Sequence, residues 1–196
     1  MKLYLTIIFG CSLVLSGIVA LCLEQSFLLV LGLVALAVVI QILIDGLVAT
    51  VARLLPKKCA NHEWKIFTVG AGEKKFYEKL KIRKWKDKIP EIGHFTGFRK
   101  NKLADPKSVE YVDRFLLESC YGQIGHFFSL FFGFLALGLF FIHDIWIVIG
   151  IPVCIVNFFL NIPSILVLRY NNYKLEILRK SLLKKQLRES KNTEGK

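Results

Sequence analysis

Four runs of about twenty apolar residues, Leu3 to Leu23, Phe27 to Ala49, Ile124 to Ile142 and Ile145 to Leu168, restrict what this chain can become. Each is close to the ~20 helical residues needed to cross about 30 Å of hydrocarbon, and a backbone in that medium must satisfy its own hydrogen bonds. A helix does this within one segment. An all-α integral membrane protein with four transmembrane helices is therefore predicted. The first run follows Lys2, as a signal peptide would, but its apolar stretch is too long, Leu21-Cys22 is a poor lipobox ending, and a second run follows almost at once.

The charges lie between the runs. With 27 Lys and Arg against 15 Asp and Glu in 196 residues, the net charge is +12 although 54% of the residues are hydrophobic. Glu24-Gln25-Ser26 joins the first two runs and His143-Asp144 the last two, with no lysine or arginine in either connection. The basic residues fall in the N-terminus, between Arg53 and Arg114, and from Arg169 onward. The positive-inside rule makes all three regions cytoplasmic. The expected topology is two hairpins in the cell membrane with both termini in the cytoplasm: residues 1–52 the first hairpin, 53–114 a basic cytoplasmic and interfacial segment, 115–168 the second hairpin, 169–196 a cytoplasmic amphipathic tail. Cysteines at 11, 22, 59, 120 and 154 stand singly, so neither a disulfide framework nor a metal site is expected.

Within the spans, Gln41 and Asp45 are four residues apart, as are Asn157 and Asn161, and each pair shares a helix face. An ionised Asp near the bilayer centre costs about 3 kcal/mol, so Asp45 is expected to face other helices or lie near the cytoplasmic end. Hydrogen bonding between hairpins and a lining for a polar substrate group both fit.

The central segment has too few apolar residues for a core of its own and is expected to pack on the helix ends. Trp64, Ile66, Phe67 and Val69 suggest a short extended stretch before the Gly70-Ala71-Gly72 turn. Glu73 to Ile82 has helical composition, with an aromatic-rich side through Trp85, and Pro90 ends the element. After Pro106 a helical pattern resumes, predicting one long helix or two nearly coaxial ones from Lys107 to about Ile142. Glu118 and His126 lie on it eight residues apart, roughly 12 Å along the axis, too far for a direct hydrogen bond but able to line one crevice. Tyr173 to Leu187 reads as an amphipathic helix lying on the membrane, and the polar residues after it as unstructured.

Ile82 to Phe95, IRKWKDKIPEIGHF, mixes bases with an aromatic, acids and a turn. A polybasic lipid anchor, worth about 1 kcal/mol per lysine, accounts for the bases and for Trp85 at headgroup level. It does not account for Asp87, Glu91, Pro90, Gly93 or His94. A site holding an anionic or phosphorylated ligand with Arg83, Lys84 and Lys86 does. The spans on both sides argue against nucleic acid as a partner.

Three blocks share one order with a known family: Phe76-Tyr77 with Ile82-Arg83-Lys84-Trp85-Lys86-Asp87-Lys88-Ile89-Pro90 and Gly93; Glu118 and His126 at Glu-x7-His spacing; and Asn161-x-Pro163 before Arg169-Tyr170-Asn171 and Lys174-Leu175. From about Phe76 to Arg179 the chain resembles the glycosyl-4,4'-diaponeurosporenoate acyltransferase family of small membrane enzymes. It departs in its first hairpin and at Gln123, where an acid is usual. The resemblance implies transfer of a fatty acyl group from an activated thioester, acyl-CoA or an acyl carrier protein, to a sugar hydroxyl of a glycosylated lipid, whether a carotenoid glycoside or another glycolipid. No further cofactor and no metal is implied.

For that chemistry His126 is the candidate base, an assistance typically worth about 10²- to 10⁴-fold, and His94 is the alternative. Glu118 would orient a histidine or bind sugar hydroxyls. Asn161, Arg169, Tyr170 and Asn171 would bind a polar substrate group, and Arg83, Lys84, Trp85, Lys86 and Asp87 would clamp the donor. The plainer alternatives are a core histidine at 126, a Glu118–Arg114 ion pair and a helix-end anchor at 169–171. The rival to an enzyme is a membrane adaptor that binds anionic lipid or a cytoplasmic partner through its basic segment. Methyl transfer to a lipid and transport fit less well, since the chain shows no convincing glycine-rich nucleotide loop and no internal repeat.

Overall fold

A computed structural model describes residues 2–89 and 105–194. The chain forms α1 (Lys2–Cys22), α2 (Phe27–Leu54), α3 (Ala71–Lys79), α4 (Ile82–Trp85), α5 (Val109–Phe132) and α6 (Trp146–Glu194), with 3-10 turns at Lys57–Ala60, Lys86–Lys88 and Gly133–Ile142. No strand occurs among the described residues. Four helical stretches are long and apolar enough to cross a membrane: Lys2–Cys22, Phe27–Leu54, Val109–Ile142 and Trp146–Asn192. They leave Phe9, Leu21, Leu28, Leu43 and Phe141 exposed, a greasy exterior that suits hydrocarbon rather than water. The fold is that of an all-α, multi-pass membrane protein.

Short turns bring the helices together. Glu24 takes a left-handed conformation (φ 54°) between α1 and α2, and the Gln25 N–H closes on the Ala20 carbonyl at 3.0 Å. α2 ends at Leu55, whose ψ of 144° is the extended conformation that Pro56 imposes on the residue before it. α5 packs on both α2 and α6, and α1 packs on α2 and α6. Where α5 meets α2, Gly125 lies against Ala49: an added Cβ would stand 3.4 Å from the Ala49 Cα.

The structure departs from the sequence expectations in four places. Trp64 to Val69 is not extended. Trp64 N–H bonds to the Asn61 carbonyl, and the Phe67 and Thr68 N–H groups both bond to the Trp64 carbonyl. A lone strand would leave its backbone groups unpaired, whereas these turns satisfy them locally and bury Phe67 beside Cys120 and Tyr121. The helix expected from Glu73 to Ile82 breaks at Lys81, which is left-handed (φ 52°, ψ 38°). That conformation costs about 1–2 kcal/mol. The break turns Ile82, Trp85 and Ile89 onto Val167 and Tyr170 of α6, and the full burial of Ile82 returns about 1.5–3 kcal/mol.

The helical stretch expected to Ile142, as one helix or two nearly coaxial ones, is continuous from Val109, but it tightens to 3-10 geometry at Gly133 and kinks at Leu139 (φ −88°, ψ 28°). The bared Ala136 carbonyl accepts from Trp146 Nε1 at 2.9 Å. The tail, finally, is neither a separate surface helix nor unstructured after Arg188: α6 continues to Glu194. Leu175, Leu178 and Leu182 recur at helical spacing and pack on Val112, Phe115 and Leu116 of α5, which binds this part of the helix to protein.

Candidate functional site

The polar residues of the spans meet at the junction of α2, α5 and α6. Asn157 Nδ2 donates to Asp45 Oδ1 at 3.2 Å, and Asn161 Nδ2 lies 3.4 Å from Asp45 Oδ2. Asn161 Nδ2 also donates to the Asn157 carbonyl at 3.0 Å. With its amide nitrogen directed there, Asn161 turns Oδ1 to His126 Nδ1, 2.7 Å away. An amide oxygen only accepts, so Nδ1 carries the proton and Nε2 keeps its lone pair. A carboxyl, an amide and an imidazole thus stand in series, the ring held in the tautomer a general base requires. Asn161 is buried and His126 half-buried. Gly133 makes room for the arrangement: a Cβ there would collide with Gln41 Nε2 and stand 3.0 Å from Asn157 Nδ2.

Glu118 lies two turns before His126. Arg53 of α2 reaches it, with Nε 3.5 Å from Oε2. Both line an open cavity of about 840 Å³ with Lys57, Asp113, Arg114 and Tyr121. It forms a charged mouth at the end of α2.

Arg169, expected to bind a polar substrate group or to anchor the helix end, directs its guanidinium into the protein. Nε and Nη2 grip the Glu73 carboxylate, the latter at 2.9 Å, and Nε also reaches the Tyr77 hydroxyl at 3.2 Å. Nη1 donates to the Ile66 carbonyl and lies 3.4 Å from Gln123 Oε1, while Nη2 donates to the Thr68 carbonyl at 3.2 Å. All three nitrogens have acceptors, so this residue fastens the segment before α3 to α6. Burial raises the Glu73 carboxyl, but hydrogen bonds from Arg169 and Tyr77 outweigh it and hold the group below the usual carboxylate range. Burial and the Glu73 bond push the Tyr77 hydroxyl well above its ordinary value, so it stays a donor.

The remaining residues divide by exposure. Arg83 and Lys84 are exposed. Lys86 is mostly covered and lies 3.8 Å from Asp87. Trp85 donates from Nε1 to the Leu80 carbonyl at 3.0 Å and packs on the α6 cluster. Tyr170 meets Tyr77 edge-on at 6.4 Å and carries Lys174 Nζ over its ring at 4.7 Å. Asn171 is buried. His94 lies outside the described residues.

Sequence reasoning singled out Asp45 and Asn157 but did not join them to His126, and it missed two further contacts. His62 Nδ1 is bound by Glu176 Oε1 of α6, and Arg179 is bound by Asp113 and lies 3.8 Å from Glu63. No local signal joins His62 to Glu176, 114 residues away.

Fold and site together define a multi-pass membrane protein with a histidine-centred polar cluster between its spans. The chain belongs to the glycosyl-4,4'-diaponeurosporenoate acyltransferase family, whose model matches residues 59–181. No curated protein and no solved structure matches it. His62, Glu118, His126, Asn161, Arg169 and Glu176 fall inside the matched region; Gln41, Asp45 and Arg53 fall outside it.

Proposed function

We propose that the chain transfers a fatty acyl group from an activated thioester to a sugar hydroxyl of a glycosylated lipid, with His126 as general base. Family membership supports acyl transfer. The observation that carries the assignment of the base is the bond from His126 Nδ1 to Asn161, which leaves Nε2 as the proton acceptor. In the proposed step Nε2 takes the hydroxyl proton while that oxygen bonds to the thioester carbonyl carbon. The carbon–sulfur bond then breaks, and the imidazolium returns the proton to the leaving thiolate, giving an ester and a free thiol. Asn161 is a positioning residue, and Asp45 supports the ring through it.

The proposed orientation is two hairpins with both termini and the segment 53–114 in the cytoplasm, where thioester donors are found. Acyl-CoA and acyl carrier protein are both anionic, and the exposed Arg83 and Lys84 would bind such a donor at the membrane surface. Glu118 and Arg53 at the charged mouth suit sugar hydroxyls.

The test is purified chain in lipid vesicles with palmitoyl-CoA and a glucosylated long-chain lipid, read by mass spectrometry. A product heavier by one palmitoyl group, formed with release of one thiol, is expected. No product with a range of thioesters and glycolipids supplied would leave the membrane adaptor as the better account.

A further inference from the structure

A second cavity, of about 370 Å³, opens between α1, α2 and α6, beside the polar cluster. Along α1 its wall runs from Ile8 to Ile18, about 15 Å at 1.5 Å per residue, the reach of roughly a dozen carbons in an extended chain. Val38 and Val156 face it from the other helices, and at Gly10 an added Cβ would meet nothing within 4 Å.

One end of this apolar wall is polar. Gln41 and Asn157 line it, and Asn157 is the residue that holds Asp45 with its amide and Asn161 with its carbonyl. Gln41 is 4% exposed. Its Oε1 accepts weakly from Cys154 Sγ at 3.7 Å, and its Nε2 has no hydrogen-bond partner among the described residues. An amide N–H left unpaired in hydrocarbon costs several kcal/mol. Bulk lipid tails would match the wall and leave that cost standing. A chain that ends in a carbonyl would match both.

We propose that this cavity seats the fatty acyl chain of the donor, its carbonyl oxygen accepting from the Gln41 amide and its tail directed toward Ile18 and Val34. The assignment rests on the acyltransferase function. It makes the first two helices, which lie outside the family match, the part that measures chain length.

The test compares octanoyl-CoA with palmitoyl-CoA as donors for wild type and Ile18→Trp, a change at the far end of the wall, and in parallel irradiates the protein with a palmitoyl-CoA carrying a diazirine near the chain terminus. Ile18→Trp is expected to lower the ratio of palmitoyl to octanoyl product about tenfold or more, since an octanoyl chain ends short of residue 18 while each palmitoyl methylene denied its site forfeits hydrophobic transfer energy. The probe is expected to label residues 8–18, with labelling reduced in Gln41→Leu. An unchanged product ratio, an equal fall with both donors, or labelling confined to other segments would overturn the proposal. If wild type makes no product with any donor and the probe still labels residues 8–18, the chain site stands and the acyltransferase assignment fails.

Discussion

The interior cluster at His126 and the ion pairs around the segment before α5 both join distant parts of the chain, but with different chemistry. In the interior, the Asp45 carboxyl accepts from the Asn157 and Asn161 amides, and Asn161 in turn holds the His126 ring. At the helix ends charge meets charge, Arg169 with Glu73 and Arg179 with Asp113, and the His62 ring is bound by Glu176. An amide can fix a ring's orientation without adding a second ion to a poorly hydrated region, where unpaired charge is expensive. An ion pair near water can fasten a polar segment that lacks a core of its own. On the proposed function, the interior cluster serves chemistry, while the ion pairs fasten the polar segment to α6.

Substitutions separate the two regions, and the largest expected effect is at the proposed base. His126→Ala should lower the acyl-transfer rate about 10²- to 10⁴-fold, measured in vesicles at equal protein content. Asp45→Asn and Asn161→Leu each remove a supporting hydrogen bond, worth about 1.5–3 kcal/mol when charge-assisted. The expected fall is about tenfold to a hundredfold in rate with little change in donor KM. Gly133→Ala forces Gln41 and Asn157 apart and should destabilise the protein by about 1–3 kcal/mol, seen as a lower Tm in detergent.

The attachment region should answer to pH. The folded-state pKa of Glu73 is depressed, so its stabilising contribution is complete above the unfolded carboxylate range and is lost as pH falls through the lower folded value. Tm should therefore decline in acid for wild type, and Glu73→Gln should lower Tm near neutrality while flattening that acid decline. The smallest effect on stability is expected at the exposed Arg83 and Lys84. Changing both to Ala should leave Tm within error while raising donor KM, with wild type and variant converging at high salt.

How much of this was legible in the sequence differs between the regions. The spans followed from apolar runs of membrane length, and the faces shared by Gln41 with Asp45 and Asn157 with Asn161 followed from spacing by four. Spacing along one helix does not give the rotation of its neighbours, so the bond from Asn161 to His126 could not be read from the sequence. The break at Lys81 was hidden because a lysine in left-handed conformation carries no local signal; only the burial of Ile82 explains it. The continuous α6 was missed because leucines that look amphipathic beside a membrane look the same beside α5. For Arg169, a basic residue near a proposed site suggested a ligand contact as well as a helix-end anchor, whereas Glu73, Tyr77 and the Ile66 and Thr68 carbonyls lay too far away in sequence to be recognised as its partners.

The central claim is that His126, and not the Glu176-bound His62, handles the proton. The most direct measurement is the single-turnover acylation rate of His126→Ala and His62→Ala beside wild type, with Tm determined on the same preparations. The account predicts that His126→Ala keeps a near-native Tm and loses at least about a hundredfold in rate, while His62→Ala lowers Tm and keeps most of the rate at temperatures where it is folded. A His126→Ala enzyme that turns over at the wild-type rate, or a fully folded His62→Ala that does not turn over, would contradict it.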